Sequence, residues 1–130
     1  MTEAALLTTV RAHGLRVSAA RRHVLGRLLA AEQPLTAEEL AGGGDVASVY
    51  RNLHALETIG VVRHVHLGHG PGRYALSTRA AGWVTCELCG RSTPLSADAL
   101  SRIRAAVFDV AGVDARFDHF PIVGRCAKCI

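Results

Sequence analysis

The sequence predicts an α+β fold: an N-terminal winged helix-turn-helix, then a small α/β domain built around four cysteines. Three observations predict it. Apolar residues recur at helical spacing up to Gly60, and the pattern then turns to alternation about a glycine-rich turn. All four cysteines lie beyond that point, in the identical pairs Cys86-x-x-Cys89 and Cys126-x-x-Cys129. The expected organisation is a winged-helix unit over 1–77, a hinge over 78–82 and a cysteine domain over 83–130.

The elements follow in order. Glu3 to His13 reads as a short helix ended by Gly14. Ser18 caps a second helix to Ala31, with Val24, Leu25, Leu28 and Leu29 inward, and Pro34 breaks the chain after it. Thr36 and Glu39 form a capping box for a short third helix with Leu40 inward, and Gly42-Gly43-Gly44 interrupts it. The next helix runs from Asp45 to Gly60. Val46, Val49, Leu53, Leu56 and Ile59 form its buried stripe, with Ser48 and Arg51 opposite and Tyr50 and Asn52 on the flanks. Val61 to Leu67 and Arg73 to Leu76 read as a two-stranded hairpin about Gly68–Gly72. In the second half, Trp83–Thr85 and Ser92–Leu95 flank the first cysteine pair. Ser96 caps a helix to Val110 with Leu100, Ile103, Val107 and Val110 inward, and Phe117 to Val123 is a strand. About 50 residues make a thin core that needs a staple or a partner.

Composition narrows the function. The chain has 130 residues, 49% hydrophobic, and no apolar run of the roughly 18 residues a membrane helix needs. The start, MTEAALLTTVRAHG, lacks the basic-then-apolar pattern of a secretory leader, so a cytoplasmic protein without membrane contact is expected. The net charge of +4 is mild, so contact with nucleic acid must come from the placement of side chains. No phosphate loop, G-x-S-x-G or HExxH is present, so no enzyme is expected.

The cysteines carry the strongest chemistry. Thiolates are soft ligands, and a two-residue spacer lets both sulfurs reach one Zn²⁺ at about 2.3 Å. Cys89-Gly90 resembles a zinc knuckle. Four thiolates leave no open coordination position, so one structural Zn²⁺ per chain is expected at Cys86, Cys89, Cys126 and Cys129. The competing reading is a pair of redox-active or inert thiol pairs.

The helix at 45–60 fits a B-DNA major groove and offers Ser48, Tyr50, Arg51 and Asn52. Arg16, Arg21 and Arg22 stand at the start of the second helix, where phosphate is favoured, and Arg63 and Arg73 lie in the wing. The competing reading is a solvated helix face. His64, His66 and His69 cluster on the hairpin, and His64 and His66 project to one side of a strand. Such a pair ligates a second divalent metal or simply faces solvent.

Ser48-Val49-Tyr50-Arg51-Asn52-Leu53, Gly60-Val61-Val62, Cys86-x-x-Cys89-Gly90 and Gly124-x-Cys126-x-x-Cys129, in this order, resemble the ferric uptake regulator (Fur) superfamily. Leu15-Arg16-Val17-Ser18 through Arg22 resembles its opening segment. The resemblance implies a homodimeric transcription regulator, usually a repressor, on palindromic double-stranded DNA operators. It implies DNA contacts from Ser48, Tyr50, Arg51 and Arg16, a structural zinc on the four cysteines, and a C-terminal dimerisation domain. The sensing site departs from the family. The His-rich run before the first cysteine pair is here Arg79-Ala80-Ala81-Gly82-Trp83, and the ligand after the wing tyrosine is replaced by Ala75-Leu76-Ser77. Asp118 stands at a common histidine position with His119 beside it. Two alternatives follow: a different metal set drawn from His64, His66, His69, Asp118 and His119, or a regulator that answers another signal, such as oxidation of the zinc thiolates. A winged-helix and zinc-ribbon module that docks onto protein is the rival of a different class.

Overall fold

All five described helices start where a short polar side chain can take up a backbone N–H left over by the first turn. In the computed structural model, which describes residues 1–66, 70–117 and 119–130, Thr2 caps α1 (Glu3–Ala12) and Ser18 caps α2 (Ala19–Ala30). Thr36 caps α3 (Ala37–Ala41) with the full capping box to Glu39, and Asp45 caps α4 (Val46–Thr58). Gly60, at φ +80°, ends α4: its N–H reaches Glu57 O at 3.0 Å, and Val61 N–H reaches Leu56 O at 3.0 Å. That double closure needs a left-handed residue, which glycine adopts without a Cβ penalty.

The chain divides into two compact units, residues 1–64 with 72–78 and residues 65–71 with 79–130. In the first, α1, α2, α3 and α4 bury Leu6, Val10, Val24, Leu25, Leu40 and Leu53 in one cluster. The wing differs from the expected two-stranded hairpin. β1 (Leu35–Thr36), β2 (Val62–Val65) and β3 (Arg73–Leu76) form a three-stranded sheet in the order β1-β3-β2. Leu35 pairs with Tyr74 and Thr36 with Arg73, antiparallel. The buried Pro34 has no N–H for a helix, so the two residues after it stay extended and Thr36 both pairs and caps.

A second correction falls in α4. Asn52 was expected on a flank, yet it is only 9% exposed and lies within the stripe of Val49, Leu53 and Leu56.

The second unit is thinner. β4 (Gly82–Cys86) lies between β5 (Ser92–Leu95), antiparallel, and β6 (Ile122–Gly124), parallel. The last strand is thus shorter than the expected 117–123. Thr85 pairs with Ser92, and their hydroxyls hydrogen-bond at 3.0 Å inside the sheet. α5 (Ala97–Ala111), capped by Ser96, buries Leu100 but not the whole expected stripe; Val110 is 86% exposed. Leu100 packs where the missing side chain of Gly82 leaves room, and three short strands are too few to cover the later turns. Phe108, Val113, Phe120, Val123 and Ile130 are also exposed. Among the described residues no helix is long and apolar enough to cross a membrane.

Candidate metal centre and nucleic-acid interface

The four cysteines converge. Cys86 ends β4, Cys89 follows in its turn, and Cys126 and Cys129 lie just beyond β6. The parallel pairing of Cys86 with Gly124 brings the second pair against the first. Gly90, at φ +77°, closes the first knuckle, and its N–H reaches Cys86 O at 2.9 Å. Cys129 N–H closes the second on Cys126 O, also at 2.9 Å. Arg125 holds Glu87 at 3.1 Å, a clasp between the two knuckles that sequence reasoning missed because its partners are remote in the chain.

The sulfurs are close enough together to share one ion. All four lie within 4.8 Å of one another, and Cys89 Sγ is 3.8 Å from Cys126 Sγ. With Zn–S bonds of about 2.3 Å, the edge of a tetrahedron is about 3.8 Å. Cys86 is buried and accepts N–H bonds from Cys126 at 3.4 Å and Cys89 at 3.5 Å. Those amides, Cys126 first, hold its thiol down to about 6. Cys129 is pushed up to about 12, chiefly by its hydrogen bonds with Cys126 and then Cys86. The Cys86 thiolate is therefore favoured, while Cys129 resists a further negative charge. A soft dication relieves that conflict, and the donor set fits zinc.

The stretch 79–83, which stands where the resemblance puts a His-rich run, holds no imidazole. Ala75, Ala80 and Trp83 are buried, and none offers a ligand atom. The hairpin histidines are divided. His64 stacks on Tyr74 at a centroid distance of 5.3 Å and lies 3.9 Å from Glu57. His66 belongs to the second unit and meets His119 at 4.9 Å. The expected His64–His66 pair is thus replaced by two separate environments. His69 and Asp118 lie outside the described residues.

The residues expected at DNA fall into two groups. Tyr50 is 43% exposed on α4. Arg51 is exposed beside it, with its guanidinium 4.0 Å from Asp45, and Ser48 is half-buried. Arg16 and Arg22 are exposed, and Arg63 is half-buried in β2. The other group is engaged within the fold. Arg21 donates from Nε to Asn52 Oδ1 at 3.1 Å and from a terminal nitrogen to Arg16 O at 2.7 Å. Asn52 in turn donates to Ser48 O at 3.0 Å. Arg73 pairs with Glu39 at 3.1 Å, which fastens the wing to the cap of α3.

Comparison with known proteins agrees with this layout. Residues 12–119 match the ferric uptake regulator family. The peroxide-responsive repressor PerR of Staphylococcus saprophyticus is 28% identical over 130 residues, covering 95% of this chain and 88% of that protein. The ferric uptake regulator of Pseudomonas aeruginosa, solved with manganese, is 25% identical, with a TM-score of 0.66 over 98% of this chain and 99% of that one. That of Helicobacter pylori, at 18% identity, shares the fold with a TM-score of 0.73 over 99% and 94%.

Proposed function

The chain belongs to the ferric uptake regulator family, and from that premise we propose that it is a homodimeric repressor that binds palindromic DNA operators and carries one structural Zn²⁺ per chain. The exposed pair Tyr50 and Arg51 on α4 carries this reading. A helix held by a packed three-helix base and ending in a short wing presents these side chains to a major groove. Arg51 reads guanine or grips phosphate, Tyr50 packs on a thymine methyl, and Arg16 and Arg22 contact the backbone. Ser48 contributes through its half-buried hydroxyl, and Arg63 from the wing. Arg21, Asn52 and Arg73, occupied within the fold, position the others instead of reading DNA.

Repression then follows from two recognition helices occupying successive major grooves and so covering a promoter. The printed name of the staphylococcal relative, a repressor, supports this direction of control. The exposed apolar side chains of the cysteine unit, Phe108 and Val110 among them, support a dimer that covers some of them. Zinc joins the knuckles and supplies cohesion that the thin core lacks.

The test is selection from a random duplex library by the zinc-loaded protein. A palindromic site should emerge, with an affinity that falls steeply as salt rises. Arg51→Ala should weaken that site by about 1–3 kcal/mol without changing the fold. Enrichment of no sequence, or equal binding by Arg51→Ala, sinks the proposal.

A further inference from the structure

The stretch 79–83 before the first cysteine pair holds no histidine, yet the fold brings two imidazoles together elsewhere. His66 stands one residue beyond β2, and His119 precedes β6. His66 N–H donates to His119 O at 3.3 Å, which fixes the two residues side by side although they are far apart in sequence. Their rings lie 4.9 Å apart, centroid to centroid, with planes at 75°. Phe120 packs on both, at 5.8 Å from His66 and 4.7 Å from His119.

We propose that His66 and His119 form a divalent-metal site separate from the cysteine centre. An imidazole nitrogen sits about 2.0–2.1 Å from a bound ion, which puts each ring centroid about 3.2 Å from it. Two such ligands at a tetrahedral angle have centroids about 5 Å apart. The observed separation is close to that figure, and turning one nitrogen of each ring from the present edge-to-face arrangement toward the same ion completes the pair. Phe120 limits the alternatives open to each ring and so reduces the entropy lost on binding. His119 is exposed and His66 half-buried, so an ion reaches them directly from solvent.

The chemical class follows from the donors. Imidazole suits Zn²⁺, Ni²⁺, Cu²⁺, Co²⁺ and Fe²⁺, whereas hard oxygen-seeking cations prefer carboxylates. Two protein donors leave the remaining positions to water, so this ion exchanges more readily than one held by four thiolates. A full cysteine site and a reversible imidazole site therefore coexist on one chain. Ion binding ties His66 to the chain entering β6 within the second unit.

The experiment is calorimetric titration of the zinc-loaded protein with Ni²⁺ in the absence of DNA, so its outcome is independent of operator binding. One Ni²⁺ per chain is expected. His66→Ala and His119→Ala should each weaken it at least tenfold and retain the cysteine-bound zinc, while His23→Ala, on α2, leaves it unchanged. A second readout uses the wild-type chain alone: at substoichiometric Ni²⁺, the imidazole NMR signals of His66 and His119 should broaden before those of the other histidines. No Ni²⁺ uptake, wild-type affinity in both variants, or earlier broadening at His23 or His54 overturns the proposal and leaves an aromatic packing cluster.

Discussion

Arg21 Nε donates to Asn52 Oδ1 at 3.1 Å and thereby joins the first turns of α2 to the middle of α4. The same guanidinium reaches Arg16 O, and the same amide reaches Ser48 O, so four positions of the candidate DNA surface share one network. Asn52 is buried, and a buried polar group left without its partner costs about 1–3 kcal/mol. Asn52→Ala should therefore lower stability by about that amount, read from the urea midpoint. Arg21→Lys should not restore wild-type stability, because a single ammonium cannot reproduce the divergent pair of donors. A midpoint unchanged in both variants would remove the network from the account.

This network also marks where the sequence is readable and where it is not. Val49, Asn52, Leu53 and Leu56 follow the i, i+3, i+4, i+7 rule, so position alone put Asn52 in the stripe. Its polarity argued for the outside, and only Arg21, distant in the chain, resolves the conflict. The cysteine centre was legible because two short spacers already imply one metal. The caps at Ser18, Thr36 and Ser96 were legible because each depends on a residue three positions away, whereas Asp45, which accepts from Ala47 N–H, was read only as the start of its helix. β1 was not, since two residues carry no alternation, and Val110 was not, since its apolar character says nothing about how far a small sheet extends. The His66–His119 pairing depends on tertiary approach and has no local signal.

Two glycines should respond oppositely to alanine. Gly60 holds φ +80°, with open space around a built Cβ, so Gly60→Ala pays only backbone strain, about 1 kcal/mol of lost stability. Gly26 lies inside α2 at an ordinary helical conformation, also with open space. Gly26→Ala should stabilise by about 0.5–1 kcal/mol, through helix propensity. Thermal midpoints of the two variants check the pair; shifts in the same direction would contradict the assignment of α4's end to a left-handed glycine.

Removal of the metal should act on one unit first. The second unit buries few large apolar side chains, Trp83 and Leu100 chief among them. Structural zinc supplies about 10–16 kcal/mol of apparent binding free energy in small domains, and that energy is folding energy. Chelation, or Cys126→Ser, should lower zinc to below one per chain and expose the α5 amides to hydrogen exchange. Amides of α2 and α4, which rest on the larger apolar cluster, should keep most of their protection. Unchanged exchange in α5 after zinc loss would show that the cysteines do not staple this unit.

Acid should release the clamp between the wing and α3. Glu39 accepts from Thr36 N–H at 3.0 Å and from Arg73 at 3.1 Å. The Thr36 amide above all, with the Thr36 hydroxyl and Arg73, lowers its carboxyl below the ordinary value of 4.5, against a smaller opposing effect of burial. The folded chain therefore binds this proton less readily than the unfolded one. The stabilisation is complete above the unfolded value and is lost as pH falls through the lower folded one. Half of the side chain is exposed, so solvent screens the pair and the effect is small. Glu39→Gln keeps an acceptor oxygen for the capping box but removes the charge. The difference in unfolding free energy between wild type and Glu39→Gln should thus shrink as pH drops from 6 toward about 3. A difference that stays constant or widens on acidification would mean that the carboxylate charge contributes nothing to the clamp, and that the cap is held by its hydrogen bonds alone.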